Sequence, residues 1–178
     1  ACVWLVVTYR RLGAERNAAL GLVAGLAVAN ALYAIKFAFT GASVLLDTTL
    51  GESVDGDREA GEETSLGCAL LGALGQFAGL LSVVYSSSIA ANLLASIQSP
   101  LRYRAEHWAW ALHGVPLAMA AGTTTVAIGH YGPSGDASCW IDASDTGEVM
   151  RMLLFFLPLF CGLILAVGAV VRLYCHTR

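Results

Sequence analysis

Residues 66–100 read LGCALLGALGQFAGLLSVVYSSSIAANLLASIQSP and contain no Asp, Glu, Lys or Arg. About 20 helical residues are enough to cross the ~30 Å hydrocarbon core of a bilayer, so this stretch can cross it with residues to spare. Apolar and polar residues do not alternate along it, as they would in a strand of a membrane β-barrel. The stretch therefore predicts a membrane-spanning α-helix, and it sets the fold class.

The rest of the 178-residue chain follows the same pattern. Only 13% of its residues are Asp, Glu, Lys or Arg, whereas an average soluble domain has about 25%. We predict a single all-α domain, residues 1–178, whose helices cross the lipid bilayer. Its parts are the end of a truncated first helix and four complete helices, at residues 1–9, 17–41, 66–98, 108–129 and 148–175.

Charged residues between the apolar runs indicate how the chain is threaded. Seven of the ten Lys and Arg residues lie between residues 9 and 17, between residues 98 and 108, or after residue 171. The two other connections, 47–64 and 136–148, are acidic. Because basic loops favour the cytoplasmic side, we predict that both acidic connections lie outside and that the C-terminal end of the chain is cytoplasmic.

Two cysteines are predicted to meet on the outer side. Cys68 lies at the outer end of the third helix, and Cys139 lies in the second acidic connection. Disulfide bonds persist in such an oxidising compartment, so we predict a bond between these residues, with two unpaired thiols as the alternative. Cys2, Cys161 and Cys175 lie within helices or at their inner ends, and we predict that they are free.

Polar residues inside the predicted helices are of two kinds. Asn30, Gln76 and Asn92 carry amides at membrane depth, where unpaired polar groups are costly, so we expect them to face other helices. Lys36 and Arg151 are cations near the outer interface. Each could extend to the lipid headgroups or line an outer cavity and bind an anionic ligand.

The sequence lacks the motifs of common enzyme and metal sites. It has no Gly-x-Ser-x-Gly, His-Glu-x-x-His, phosphate-binding loop or Cys-x-x-Cys, so we predict no catalytic activity, metal or cofactor. A net charge of -3 gives no indication of nucleic-acid binding. The apolar runs 17–41, 66–100, 108–129 and 149–171 contain no acidic residue, which argues against a proton-coupled pump.

Short motifs resemble one family of G-protein-coupled receptors. Residues 139–141, Cys-Trp-Ile, follow Tyr-Gly-Pro-Ser-Gly at 131–135, and this pattern resembles the second extracellular loop of the slime-mould cyclic-AMP receptors and their protist relatives. The third helix is also similar to theirs, in Cys68, Gln76-Phe77, Ser82, Ile89-Ala90 and Asn92-Leu93.

Three further stretches bear on this resemblance. His113-Gly-Val-Pro116 is similar to a Trp-Gly-x-Pro stretch in the family's fourth helix, with His in place of Trp. Leu26-Ala-Val-Ala-Asn30 is similar to the receptor pattern Leu-x-x-Ala-Asp, with Asn in place of the acid. Pro100-Leu-Arg-Tyr103 resembles the second intracellular loop of rhodopsin-like receptors, but their Asp-Arg-Tyr triplet would fall on Asn-Leu-Leu at 92–94. That mismatch favours the cyclic-AMP-receptor-like class.

The resemblance implies part of a seven-helix receptor in the plasma membrane, from the end of helix one to helix five, without helices six and seven. An extracellular ligand of unknown identity would shift the helix bundle, and a heterotrimeric G protein would detect the change in the cytosol. The ligand would contact Lys36, Arg151 and Trp140. The surface facing the G protein would include Arg102, Tyr103, Arg104 and Arg172.

Two other classes fit parts of the sequence. A four-span structural or adhesion protein of the claudin or tetraspanin kind would carry several cysteines in its first outer loop, and residues 47–65 contain none. A transporter or channel fragment would be expected to contain half-helices or intramembrane acids, and the sequence indicates neither.

Overall fold

The computed structural model describes residues 18–45, 66–99, 104–134 and 138–177. These residues form α1 (Ala18–Leu45), α2 (Leu66–Gln98), α3 (Ala105–Val126), β1 (Tyr131–Pro133), β2 (Cys139–Ile141), α4 (Asp145–Arg151) and α5 (Leu157–Thr177). A π-helical turn, Met152–Phe156, joins α4 to α5. The fold class is therefore all-α, as the sequence predicts, with one short β-hairpin added.

The helices lie in the segments that the hydropathy pattern indicates. α1, α2 and α3 occupy the second, third and fourth predicted helices, and α4, the π turn and α5 occupy the fifth. The fifth begins a few residues earlier than predicted, because the Ser144 side chain accepts a hydrogen bond from the backbone N–H of Gly147 and caps the helix. The predicted end of a first helix, residues 1–9, lies outside the described residues.

Three of the described helices are long and apolar enough to cross a membrane: Ala19–Ala42, Leu66–Gln98 and Asp145–Cys175. Such helices are typical of an integral membrane protein. The sequence predicted four complete spans. The fourth, α3, is not among the described helices that are long and apolar enough to cross a membrane. It is helical over most of the fourth predicted span, but two histidines and three consecutive threonines lower its apolar character.

α2 occupies the centre of the bundle, with α1, α3 and α5 all packed against it. Its buried Leu80 and Tyr85 meet Leu22 of α1 and Ala120 of α3 in the main core. The 33 residues of α2 extend over about 50 Å at 1.5 Å per residue, which exceeds the hydrocarbon thickness. The helix must therefore tilt or project beyond the hydrocarbon region.

Glycines on α2 allow its neighbours to approach closely. A Cβ atom at Gly75 would lie 3.3 Å from Cε of Lys36, and one at Gly79 would lie 3.1 Å from the ring of Phe155. Small residues at such positions let membrane helices pack without a hydrophobic driving force between them. By contrast, most large apolar side chains of α5 are exposed, as expected for a helix that faces lipid.

Candidate functional site

The hairpin β1–β2 lies against the end of the bundle where α2 begins. Its strands are antiparallel, with Tyr131 opposite Ile141, and the backbone N–H of Ser134 donates to the carbonyl of Ser138 at 2.9 Å. An isolated two-stranded hairpin is marginally stable in water. Contacts with the helices must therefore hold it in place.

The first of these contacts is a disulfide bond between Cys68, near the start of α2, and Cys139 in β2. The two Cα atoms are 5.1 Å apart, and both residues are buried. Cross-linking residues 71 positions apart restricts the unfolded chain and contributes about 4 kcal/mol on the chain-entropy model. The predicted pairing is confirmed. Cys161 and Cys175 are free thiols, and Cys2 lies outside the described residues.

The second contact comes from Arg151, at the end of α4. Its Nε donates a hydrogen bond to the carbonyl of Ile141 at 3.0 Å, and its Nη2 donates to the carbonyls of Ile141 and Ser134. The guanidinium group also lies 5.5 Å from the centre of the Trp140 ring. These donors hold the hairpin backbone, and the ligand contact expected of Arg151 stays a prediction.

Trp140 connects the hairpin to two helical elements. Its ring packs edge-on against Phe155 and Phe156 of the π turn, with centroid distances of 5.1 and 6.2 Å. Its Nε1 donates a hydrogen bond to Oε1 of Gln76 at 2.9 Å. A Cβ at Gly72 would lie 3.2 Å from the Trp140 carbonyl oxygen, so the absence of a side chain there lets the hairpin approach α2.

Gln76 lies at the centre of this arrangement, and none of its surface is exposed. Oε1 of its amide accepts from Trp140, and Nε2 donates to the carbonyl of Leu154 in the π turn at 3.1 Å. If the amide oxygen and nitrogen exchanged places, the amide NH₂ would face the indole N–H of Trp140, and both groups are donors. The amide oxygen would face the Leu154 carbonyl oxygen, and both groups are acceptors. The two partners therefore fix the orientation of the amide.

Lys36 of α1 lies beside this network. Its side chain is only 6% exposed, its carbons pass over Gly75, and its Nζ is 4.7 Å from the centre of the Phe37 ring. A lysine that extends to the lipid headgroups keeps its ammonium group in contact with water. Of the two interpretations offered by the sequence, the burial agrees with a cation that faces the interior of the bundle.

Further polar contacts join the helices away from the hairpin. Oδ1 of Asn30 accepts a hydrogen bond from Oγ of Ser82 at 2.8 Å, linking α1 to α2, although Asn30 itself is exposed. Asn92 is buried in the half of α2 that lies away from the hairpin. Sequence reasoning missed the contact between Tyr85 and His113, whose Oη and Nδ1 are 3.3 Å apart across α2 and α3. No motif relates two residues that only helix packing brings together.

The residues expected to face a G protein lie at the helix ends away from the hairpin. Arg104 precedes α3 and Arg172 lies near the end of α5, and both are exposed. Arg102 and Tyr103 lie outside the described residues. The described part of this surface is therefore basic at two helix ends, which the charge pattern predicts to be cytosolic.

The hairpin and the π turn were not anticipated from the sequence. Each strand has three residues, which is too short for an alternating pattern to be recognised. The available signals were Gly129, whose φ of 95° suits glycine in the turn after α3, and Pro158, because a proline inside a helix interrupts its hydrogen bonds. Neither signal specifies the kind of structure that forms.

The described residues at the hairpin end of the bundle offer hydrogen-bonding groups, aromatic surface and the buried cation Lys36. The Tyr131 hydroxyl donates to the carbonyl of Thr124 at 3.0 Å, and burial raises the pKa of Tyr131 to about 12, so the phenol is neutral at physiological pH. Within the described ranges, no three His, Cys, Asp or Glu residues are grouped to hold a metal ion. The arrangement suits ligand binding and the coupling of one element to another.

Comparison with protein-family models and with curated proteins finds no match to this sequence. The class of protein is therefore defined by the fold and the site. The chain has the architecture of a helical membrane protein whose central helix is bonded covalently to a hairpin at the end of the bundle.

Proposed function

We propose that the chain belongs to a G-protein-coupled receptor of the slime-mould cyclic-AMP-receptor-like class, located in the plasma membrane. The observation that carries the proposal is the disulfide between Cys68 and Cys139. It ties the long central helix to the connection between the next two helices, and the motif Cys-Trp-Ile that resembles this family lies at the bond. An extracellular ligand would bind near this bond, and a heterotrimeric G protein would bind at the opposite end.

The ligand would bind next to the hairpin. Lys36 supplies a cation within the bundle, and Trp140 and Phe155 supply aromatic surface. Arg151 would act by holding the hairpin, since its donors serve backbone carbonyls. The site therefore suits an organic ligand with one anionic group, of which a cyclic nucleotide is an example.

Signalling would require the ligand to bind one arrangement of the helices more tightly than another. α2 packs against α1, α3 and α5, so a change in its tilt would move the inner ends of its neighbours. The exposed Arg104 and Arg172 lie at two such ends. A G protein could detect their displacement.

Two observations favour this proposal over the alternatives drawn from the sequence. α2 continues as one α-helix for 33 residues, whereas many transporters bind substrate between half-helices. The disulfide joins a helix to an outer connection, whereas a four-span adhesion protein would concentrate its cysteines in the first outer loop.

The proposed inner surface can be tested by binding. We expect the chain in lipid nanodiscs to bind a nucleotide-free heterotrimeric G protein, and Arg104→Glu together with Arg172→Glu to weaken that binding by about tenfold or more. Asp145→Lys, an exposed charge reversal at the other end, serves as the control and should leave binding unchanged. Absence of binding to every Gα class, or equal binding by the double variant, would overturn the proposal.

The outer site can be tested separately with cyclic AMP as the probe. A ligand that binds only the folded state raises thermal stability in proportion to RT ln(1 + [L]/Kd). We expect Lys36→Met to remove the stabilisation by cyclic AMP, because it removes the cation and keeps the apolar stem. Arg172→Met is the matched control. A stabilisation that persists in Lys36→Met would exclude Lys36 as a ligand contact.

A further inference from the structure

The π turn lies beside a proline, and this explains why a buried amide is needed there. In a regular α-helix the N–H of residue 158 would donate to the carbonyl of residue 154, but Pro158 has no N–H. The backbone N–H of Leu157 instead donates to the carbonyl of Met152, at π-helical spacing. The carbonyl of Leu154 lacks the donor that residue 158 would supply, and it accepts a hydrogen bond from Nε2 of Gln76.

We propose that Gln76 is a positioning residue that couples the hairpin to the π turn. Its amide nitrogen replaces the backbone donor that Pro158 lacks, and its amide oxygen is held by the indole N–H of Trp140 at 2.9 Å. Because Gln76 is fully buried, bulk water does not compete for either bond. The orientation of one amide therefore depends on two elements that are far apart in sequence.

The consequence is that the hairpin and the π turn cannot move independently. Moving the hairpin away from α2 would withdraw the indole from Gln76, and the amide would be free to rotate. The Leu154 carbonyl would then lose its donor within the membrane, where backbone groups must be paired. The π turn would rearrange, and Phe155 would move against Trp140.

In a receptor, this coupling would carry a displacement from the ligand site to α5. That use rests on the proposed function. The coupling itself is a property of the described residues, and it can be measured without ligand or G protein.

Labelling of the carbonyl provides a direct measurement. The sequence contains only two Leu-Phe pairs, 154–155 and 159–160. Incorporating leucine with a ¹³C carbonyl and phenylalanine with an ¹⁵N amide therefore selects two carbonyl signals by solid-state NMR. Leu154 reports on the proposed bond, and Leu159 in the same helix is an internal control. The sample is the full chain in lipid bilayers with its disulfide intact.

Each partner is then removed in turn. We expect Gln76→Met, which adds no Leu-Phe pair before Phe77, to move the Leu154 carbonyl signal upfield, as on loss of a hydrogen bond, with Leu159 unchanged. Trp140→Phe keeps an aromatic ring but removes the indole N–H, and we expect it to move the Leu154 signal in the same direction. Gln98→Met and Trp110→Phe, at exposed positions, are matched controls and should move neither signal.

A second variant distinguishes coupling from general loosening of the fold. Pro158→Ala restores a backbone donor for Leu154, so Gln76→Met in that background should no longer move the Leu154 signal. The same background provides a folded sample if Gln76→Met alone does not fold. The proposal is overturned if Trp140→Phe leaves Leu154 unchanged, or if Gln76→Met has the same effect with and without Pro158→Ala.

Discussion

At the scale of single residues, the hairpin is held by side chains that bond to backbone groups. Arg151 donates to the carbonyls of Ile141 and Ser134, and Tyr131 donates to the carbonyl of Thr124. Hydrogen bonds that involve a charged group contribute about 1.5–3 kcal/mol each. Replacing such a side chain should therefore loosen the hairpin before it affects the helices.

The variant Arg151→Lys tests whether Arg151 holds the hairpin, with the rate of disulfide reduction as the measurement. Lysine keeps the charge but lacks the planar group that donates in several directions and stacks on an aromatic ring. In the unmodified chain both cysteines are buried, and a loosened hairpin would expose them to an added thiol. We therefore expect the thiol to reduce the Cys68–Cys139 bond about fivefold faster in Arg151→Lys. Arg172→Lys, at an exposed position, should not change the rate. Equal rates in all three proteins would mean that Arg151 does not hold the hairpin.

The raised pKa of Tyr131 predicts how the stability of the protein depends on pH. Burial raises its pKa from 10.0 to about 12, so the folded protein retains a proton that the unfolded chain loses. The stabilisation is complete below pH 10 and is lost as the pH rises towards 12. We expect the free energy of unfolding of the unmodified chain to fall more steeply than that of Tyr131→Phe across this interval. Between pH 8 and 9 the free energies of unfolding of the two proteins should change in parallel. If they change in parallel at all pH values, the pKa of Tyr131 is not raised by folding.

At the scale of elements, α2 and α3 pair the hydroxyl groups of serine and threonine by bonding them within the same helix. Ser86, Ser87 and Ser96 each donate to the backbone carbonyl four residues earlier, a common pattern in helices. Thr124 does the same in α3. These groups therefore need no partner on another helix, unlike the amides of Asn30 and Gln76.

The exposed hydrogen bond between Asn30 and Ser82 joins α1 to α2 within two helices that are long enough to cross a membrane. In a double-mutant cycle with Asn30→Leu and Ser82→Ala, we expect a coupling of about 0.6 kcal/mol in the free energy of unfolding in bicelles, the usual size for such bonds. Asn30→Leu combined with Thr125→Ala should be additive, since Thr125 donates to Gly122 of its own helix. Additivity in both pairs would show that the Asn30–Ser82 bond contributes nothing.

At the scale of the whole molecule, the charge pattern and the disulfide predict that opposite ends of the bundle face different compartments. The hairpin and its disulfide lie where α2 begins, and Arg104 lies after α2 ends. Since α2 is long enough to cross the membrane, the hairpin and Arg104 should be on opposite sides. Basic residues favour the cytosolic side.

Cysteine labelling in intact cells checks this orientation. With a membrane-impermeant maleimide, we expect Ala143→Cys to be labelled from outside, and Arg104→Cys only after the cells are made permeable. Both positions are exposed. The unmodified chain, with its free Cys161 and Cys175, measures the background. Labelling of Arg104→Cys in intact cells would reverse the proposed orientation.

The fold class could be predicted from the sequence because hydropathy and charge act locally. A run without charges, such as residues 66–98, has to form a helix in lipid, where each backbone group must be paired within the segment. The bond between Cys68 and Cys139 could also be predicted, because the charge pattern assigns both residues to the same side of the membrane. α3 shows the limit of this reasoning, since its segment is helical but less apolar than the other three.

The contacts of the candidate site were decided only by the tertiary structure. Nothing near Gln76 in the sequence indicates that its amide bonds to Trp140 and Leu154, and Lys36 could equally have extended to the headgroups. These contacts depend on the rotation of each helix about its axis and on glycines that let neighbouring elements approach. A helix in lipid is apolar on nearly every face, so the periodicity of its sequence does not determine how the helix is rotated or how closely its neighbours approach. The partner of each polar group is therefore set by packing.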